Sequence, residues 1–234
     1  TFKSNVSVSG TTKLLGTVTA TGNTGFLGTV RVSGATSLEG ALNVTGAALF
    51  SSTVTAVGAA TFKSNVSVSG NMGIAGNVSV GGTFFAAGGI TYDGDVSVSG
   101  DLNVLGNVSV GGTTKLLGTV TATGNSGFLG TVRVSGATSL EAALNVTGAA
   151  LFSSTVTVAG ATHLQSTVSI AGAATFASTV TVVGATHLQS TVSVGGAATF
   201  ASTVTVVGAG TFKSNVSVSG TTKLLGTVTA TGNT

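Results

Sequence analysis

Hydrophobic and polar residues alternate with a period of two along the whole chain. All thirteen charged residues have odd numbers, and ten of the eleven Phe residues have even numbers, Phe85 being the exception. Successive side chains of a β-strand point to opposite faces, so this parity predicts one inner lining and one outer coat. The i, i+3, i+4 spacing of an amphipathic helix is missing, and Thr, Val and Gly are poor helix formers. The pattern therefore predicts an all-β protein in which no odd-length loop interrupts the alternation.

The same positions define a six-residue repeat. Counted from Thr1, the sequence divides into 39 hexads without a remainder. The second position is apolar in every hexad, the fourth is Gly, Ser or Ala, and the sixth is mostly Val, Thr or Ala. Units this short bury no core alone, so they must stack. We predict a parallel β-solenoid (β-helix) in which each hexad forms a short strand and a corner, with aliphatic ladders inside.

The sequence leaves the number of hexads per coil open. Hexads ending in Val alternate with hexads ending mostly in Thr or Ala, and this 12-residue period favours a flattened coil of two sheets. A triangular coil of three hexads is the alternative, although the left-handed hexapeptide helix of acyltransferases places its small residue directly after the aliphatic one. An intertwined trimer, in which each chain gives one strand per turn, is a third arrangement.

Longer repeats run through the chain in multiples of six residues. Residues 11–58 recur at 113–160 with four differences, and residues 1–24 recur unchanged at 211–234. We interpret residues 1–234 as a single continuous solenoid, excerpted from a longer array with a 210-residue super-repeat. The alternation slips by one hexad at about 82–108, which we interpret as a join between two arrays. The chain has no starting Met and no signal peptide, which agrees with an excerpt or a processed chain.

Charge is sparse, with 8 basic and 5 acidic residues and a formal net charge of +3. The basic residues form no cluster, so we expect no nucleic-acid partner. No stretch approaches the ~20 apolar residues of a membrane-spanning helix, so we expect no membrane insertion. The chain has no Cys and therefore no disulfide.

Two His residues are the first candidates for chemistry. His163 and His187 occur in identical ATHLQS segments on the outward parity, and no acid lies nearby in sequence to orient either one as a base. A metal site needs three or four converging ligands, which two His and no Cys do not supply. We expect both to be surface residues.

Acidic residues are the second candidates. Asp93, Asp95 and Asp101 form the one acidic group in the sequence, but their spacing matches no calcium-binding loop, so we expect a solvated join. Glu39 and Glu141 occupy equivalent positions in the two long copies and are not a catalytic pair. We predict no catalytic, cofactor-binding or metal site, no small-molecule substrate and no enzyme activity.

Seven N-x-Ser/Thr sequences begin on the outward parity. A eukaryotic secretory route would make these Asn residues glycan acceptors, while Asn is also common beside a bend. They are Asn5, Asn43, Asn65, Asn77, Asn107, Asn145 and Asn215.

Outward T-x-T pairs recur through the chain. They include Thr17/Thr19, Thr119/Thr121, Thr155/Thr157, Thr179/Thr181, Thr203/Thr205 and Thr227/Thr229. Flat Thr ladders on narrow solenoids resemble the ice-binding faces of several insect-type antifreeze proteins, so an ice-binding β-solenoid is one alternative function. Arg31, Arg133 and the SVS hexads interrupt the series, and Thr is also a favoured polar residue in strands.

Several strings resemble the shaft repeats of phage and giant-virus tail fibres: GNVSVGG at 76–82 and 106–112, GDLNVLGNVSVGG at 100–112, and TVSVGGAATFASTVTVVG at 191–208. Similar repeats occur in large bacterial surface-fibre proteins. The resemblance implies a homotrimeric shaft with a separate receptor-binding tip or self-cleaving chaperone domain, neither of which these residues contain. A weaker similarity to bactofilins, which are bacterial cytoskeletal β-helices, implies a cytoskeletal polymer instead.

These expectations converge on a structural fibre or filament. It would be the shaft of a viral or cell-surface appendage, or the subunit of an extracellular filament. We expect self-association end to end or as a homo-oligomer such as a trimer, and an extracellular location on a cell surface or virion.

Overall fold

The computed structural model describes residues 1–87 and 89–232, and every regular element in these residues is a β-strand of three residues. The chain forms two compact units, Thr1–Leu117 and Gly118–Thr234. Within its described residues, the first unit has nineteen strands: β1 Val6–Val8, β2 Thr12–Leu14, β3 Val18–Ala20, β4 Thr24–Phe26, β5 Val30–Val32, β6 Thr36–Leu38, β7 Leu42–Val44, β8 Ala48–Phe50, β9 Val54–Ala56, β10 Ala60–Phe62, β11 Val66–Val68, β12 Met72–Ile74, β13 Val78–Val80, β14 Phe84–Ala86, β15 Ile90–Tyr92, β16 Val96–Val98, β17 Leu102–Val104, β18 Val108–Val110 and β19 Thr114–Leu116.

The second unit has nineteen strands of the same length within residues 118–232. They are β20 Val120–Ala122, β21 Ser126–Phe128, β22 Val132–Val134, β23 Thr138–Leu140, β24 Leu144–Val146, β25 Ala150–Phe152, β26 Val156–Val158, β27 Thr162–Leu164, β28 Val168–Ile170, β29 Ala174–Phe176, β30 Val180–Val182, β31 Thr186–Leu188, β32 Val192–Val194, β33 Ala198–Phe200, β34 Val204–Val206, β35 Gly210–Phe212, β36 Val216–Val218, β37 Thr222–Leu224 and β38 Val228–Ala230.

Each unit contains three parallel sheets, in which every strand pairs with the third strand after it. We name each sheet by its first strand. The first unit has the β1 sheet (β1-β4-β7-β10-β13-β16-β19), the β2 sheet (β2-β5-β8-β11-β14-β17) and the β3 sheet (β3-β6-β9-β12-β15-β18). The second has the β20 sheet (β20-β23-β26-β29-β32-β35-β38), the β21 sheet (β21-β24-β27-β30-β33-β36) and the β22 sheet (β22-β25-β28-β31-β34-β37).

The predicted parallel β-solenoid is confirmed, and its coil contains three hexads. Each strand pairs with the strand three hexads later, as for Val6 with Thr24 and Val168 with Thr186. The triangular coil given as the alternative is therefore the one that forms, which corrects the preference for a flattened coil of two hexads. Within each unit, this one chain supplies the strands of all three sheets.

The alternation between the two types of hexad controls packing between coils rather than the size of a coil. Three is an odd number, so a hexad of one type lies over a hexad of the other type in the next coil. In the β22 sheet, for example, Val168 lies between Ala150 and Thr186. At the first inward position of the strands, Val or Leu therefore alternates with Thr, Ala, Ser or Gly along each sheet of the second unit, which is how a dense interior fills space.

The parity prediction is also confirmed. Each strand comprises the sixth position of one hexad and the first two of the next, and its middle residue points outward. In β5, Val30 and Val32 are buried while Arg31 is exposed. Phe85, the one odd-numbered Phe, is 40% exposed.

The two inward side chains of a single strand also balance each other in size where one of them is Phe. Every described strand that ends in Phe begins with Ala, Thr, Ser or Gly, while β14 has the reverse order, with Phe84 first and Ala86 third. A Cβ added to Gly210 would lie 3.2 Å from Cε2 of Phe212. The ring therefore covers the inward position two residues before it, which leaves room there only for a small side chain.

Gly at the corners allows successive coils to approach closely. No described Gly has a positive φ, so the corners do not need its left-handed conformations. A Cβ added to Gly46 would lie 2.6 Å from the carbonyl carbon of Gly28 in the preceding coil. Where the fourth hexad position is Ser or Ala, the equivalent residue of each adjacent coil is Gly, as for Ala142 between Gly124 and Gly160. We call the equivalent fourth-position residues of successive coils a corner column. In these columns a residue with a side chain is adjacent only to glycines.

Substituting a corner Gly between two Ser residues is expected to destabilise the fold. A Cβ on Gly172 would overlap the carbonyl carbon of Ser154, and Ser190 occupies the next coil. We expect Gly172→Ala to lower the free energy of unfolding by about 1–3 kcal/mol through overpacking. The measurement is urea unfolding followed by circular dichroism.

Gly76→Ala is the matched control for this substitution. Gly76 lies between Gly58 and Gly94, and its added Cβ would come no closer than 3.0 Å to another heavy atom. We expect a change within about 0.5 kcal/mol. Equal losses in the two variants would contradict the rule for the corner columns.

The ladder is looser where the alternation slips. The strands keep their six-residue spacing through β14–β18. However, the amides of Val78, Ile90 and Val96 donate to carbonyl oxygens at 3.4, 3.3 and 3.4 Å, against 2.8–3.0 Å for most such bonds. Large inward residues lie over one another there, for example Val78 over Val96. The longer hydrogen bonds therefore occur where large inward side chains lie over one another in adjacent coils.

Candidate functional site

All the charged side chains lie on the outside of the coils. Those at strand centres are Lys13, Arg31, Lys115, Arg133 and Lys223, and the other eight lie at or near corners. Every one of them is exposed. Within residues 1–87 and 89–232, no group of three or more His, Asp or Glu side chains is placed to hold a metal ion.

The two His residues lie on different sheets of the second unit. His163 is the middle residue of β27, where Asn145 and Thr181 are its neighbours in the adjacent strands. His187 is the middle residue of β31, and its corresponding neighbours are Ser169 and Thr205. No carboxylate occupies any of these four positions, so neither imidazole has a strand neighbour that could orient it as a base.

The three Asp candidates are divided between two corners of the first unit. Asp93 and Asp95 flank Gly94 at the corner between β15 and β16, and Asp101 lies at the next corner, beyond β16. Glu39 is an exposed corner residue of the first unit, and Glu141 is one of the second. These positions do not bring the three Asp residues to one corner.

Tyr92 is the one titratable side chain that the described structure places in the interior. It is 7% exposed at the end of β15, and burial raises the pKa of its hydroxyl above the ordinary range. The phenol is therefore neutral across physiological pH, as a residue of a dry interior must be.

The Asn residues of the N-x-Ser/Thr sequences occupy two kinds of position. Asn43 and Asn145 are strand centres, whereas Asn65 is a corner residue. The Oδ1 of Asn65 accepts a hydrogen bond of 3.1 Å from the amide of Thr83 in the next coil. Asn5 accepts in the same way from the next coil, as does Asn23, which lies outside these sequences. The sequence indicates Asn beside bends, but its pattern gives no sign of this role in joining coils.

Hydroxyl groups in the interior are the largest departure from the expected apolar lining. Thr occupies the inward sixth hexad position in many strands, and several of its Oγ1 atoms are buried without a hydrogen-bond partner. These are the Oγ1 atoms of Thr24, Thr36, Thr114, Thr138, Thr162 and Thr186. An unpaired buried hydroxyl costs about 1–3 kcal/mol, so these residues reduce stability.

Removing one of these hydroxyls is expected to stabilise the protein. Thr162 lies between Leu144 and Val180, and Thr162→Val keeps its shape while deleting the unpaired group. We expect the free energy of unfolding to rise by about 1 kcal/mol. Thr199→Val, at an exposed strand centre, is the control and should change stability by less than about 0.5 kcal/mol. A destabilised Thr162→Val would mean that its hydroxyl is satisfied in solution.

The concave surfaces of the units are shallow and lack convergent chemistry. A groove of about 350 Å³ crosses Leu49, Ser67 and Phe85 in the first unit. A second, of about 380 Å³, crosses Leu151, Ser169 and His187 in the second unit. An interior cavity beside Thr186 measures about 10 Å³ and is otherwise lined by apolar side chains. In the second groove Ser169 lies beside His187, and the other strand neighbour of His187 is Thr205.

No described helix has the length and hydropathy needed to cross a membrane. Comparisons with protein-family models, curated proteins and solved structures found no match to this chain. The fold and its surfaces are therefore the observations that bear on function.

Proposed function

We propose that this chain is the shaft of a structural fibre or filament, with a mechanical role and no enzyme activity. The observation that carries the proposal is the uniformity of the corners. Wherever all its residues are described, each connection between successive strands has three residues, such as Ser9–Thr11 between β1 and β2. Binding and catalytic residues are disproportionately carried on loops above a rigid scaffold. A scaffold whose described connections are this short is suited to bearing load.

Hydrogen bonds between coils supply the mechanical connection. The amide of Thr12 donates to the carbonyl of Thr29 at 2.9 Å, and the amide of Ser33 donates to the carbonyl of Leu14 at 3.0 Å. Bonds of this kind recur along both units and run from one coil to the next. Each adds only ~1 kcal/mol, but a stack of repeats sums them cooperatively.

Self-association is the partner interaction that this proposal includes. Strands within the sheets pair with a strand of the coil on each side, and the same parallel pairing can join coils of two chains. We expect coils of successive chains to stack end to end in a filament, or the chains to associate as a homo-oligomer. A trimeric shaft on a virion or cell surface is the form that the fibre resemblance favours.

Negative-stain microscopy of the purified chain tests the proposal. We expect filaments whose diffraction has a spacing of ~4.8 Å along the fibre axis, because the coils stack in that direction. Separate particles at high concentration would contradict the proposal.

A further inference from the structure

Hydroxyl side chains form an unbroken row across one sheet of the second unit. The middle residues of the seven strands of the β20 sheet pair in register, each with the next. They are Thr121, Ser139, Thr157, Thr175, Ser193, Thr211 and Thr229. We call this surface the hydroxyl face. Neighbouring rungs are ~4.8 Å apart, which is the spacing of strands in a sheet.

A second row runs beside the first. The residue two before each strand centre alternates between Thr and Ala along the hydroxyl face: Thr119, Ala137, Thr155, Ala173, Thr191, Ala209 and Thr227. The four Thr residues of this row are exposed. These residues end the corner before each strand, so the second row borders the first along one side of the sheet.

The backbone beneath this array is regular. The amides of Thr138, Val156, Ala174 and Val192 donate to the next coil, each at 2.9 Å. A ladder with equal bond lengths holds the outward side chains at equal intervals. Thr is also restricted about χ1, so its hydroxyl and methyl groups have few alternative positions.

The hydroxyl face differs from the other two sheets of its unit. The centres of the β22 sheet include Arg133, Leu151, His187 and Lys223, and those of the β21 sheet include His163. The arginine that interrupts the T-x-T series along the sequence therefore lies on another sheet. All seven centres of the hydroxyl face are uncharged.

The composition of the hydroxyl face argues against the commoner kinds of partner. Energetically important residues of protein interfaces are mainly Trp, Tyr and Arg, while Ser and Thr are under-represented among them. The two rows contain no aromatic ring to stack on a sugar and no cation to bind an anion. Glu141 and Lys213, in the corners after β23 and β35, lie outside the two rows. A periodic row of uncharged hydroxyls matches a partner that is itself periodic and hydrogen-bonding.

We propose that the hydroxyl face binds the surface of an ice crystal. Its hydroxyls hydrogen-bond to water molecules of the lattice, and its methyl groups occupy the spaces between them. The rung spacing of ~4.8 Å is comparable with distances between oxygen atoms on crystal planes of ice. This inference does not rest on the proposed fibre role, because the hydroxyl face is present on a single chain whether or not chains assemble into a fibre.

Thermal hysteresis of the purified chain, together with its uptake into a slowly growing ice hemisphere, tests the inference. We expect a measurable hysteresis gap, faceted crystals, and a labelled chain incorporated into the ice. Thr157→Lys should abolish the gap, because a long charged side chain at the centre of the face prevents flat contact. Thr175→Lys in the next strand should do the same.

Thr199→Lys is the matched control. Thr199 is an exposed strand centre of the β21 sheet, so this variant should keep the wild-type gap. Lys13 and Lys223 already occupy strand centres, so the fold accommodates Lys there, and circular dichroism checks this for each variant. Exclusion of the wild-type chain from ice, with no hysteresis, overturns the inference. Equal loss in the Thr199→Lys and Thr157→Lys variants overturns the assignment to this face.

Discussion

Replacing Val146 by Asp is expected to unfold the surrounding coils at neutral pH. Val146 ends β24, is 1% exposed, and lies between Phe128 and Leu164 of the adjacent strands. All the charged side chains of the described residues are exposed, so no cation of the interior is available to pair with a carboxylate at this position. We expect a loss of about 4 kcal/mol or more, which is the range for an uncompensated buried charge. Thermal unfolding monitored by circular dichroism measures it.

Asn145→Asp provides the control one residue earlier. Asn145 is exposed on the opposite face of the same strand, so its conversion to Asp adds a solvated charge. We expect a change of less than about 0.5 kcal/mol. A similar loss in both variants would refute the division of the chain into an inner and an outer parity.

The loss caused by Val146→Asp should depend on pH. Burial raises the pKa of the introduced carboxyl in the folded state above its unfolded value of ~3.9. The neutral acid is therefore tolerated best below that unfolded value. The loss grows as pH rises from there through the raised folded pKa. A variant whose stability relative to wild type is constant between acid and neutral pH would contradict burial of the group.

Phe50→Ala is expected to destabilise the first unit by about 3–5 kcal/mol, the usual cost of truncating a buried Phe. Phe50 ends β8, is 2% exposed, and has Val32 and Val68 as its neighbours in the adjacent strands. Because Ala48 precedes it on the same face, no larger side chain is present to fill the space. Equilibrium unfolding in urea gives the loss, and a value below about 1 kcal/mol would contradict close packing at this site.

The double substitution Ala48→Phe with Phe50→Ala tests whether volume is shared within the strand. This order already occurs in β14, where Phe84 comes first and Ala86 third. We expect the double variant to recover part of the loss caused by Phe50→Ala, while Ala48→Phe alone is destabilising through overpacking. Additive losses in the two single variants would contradict a coupled pair.

The sequence by itself determined the class of structure and the side on which each residue lies. Its period of two assigned Arg31 to the outside and Val30 to the interior, and both assignments hold. The hexad also fixed the strand spacing at six residues. These properties depend on local geometry, since the direction of a side chain in a strand follows from parity alone. No knowledge of the neighbouring coil is needed.

Only the tertiary structure decided the size of the coil. A hexad has an even length, so coils of two and of three hexads both preserve parity, and the local pattern is the same for each. Only the packing between coils distinguishes a coil of two hexads from a coil of three. With two hexads per coil, Ser154, Ser166 and Ser178 would lie over one another at a corner; with three, each has Gly as its neighbour. The alternation of the two hexad types determines which residues meet between coils, not how many hexads form a coil. Taken as the length of a coil, the 12-residue period therefore favoured the wrong number of hexads.

The hydroxyl face likewise exists only in three dimensions. Thr121, Ser139 and Thr157 are distant in sequence and are neighbours only because the chain returns to the same sheet after three hexads. Along the sequence, Arg133 interrupts the same series. The sequence supplied the hydroxyls and their outward direction, and the threefold coil gathered them on one sheet and moved the charged and imidazole strand centres to the others.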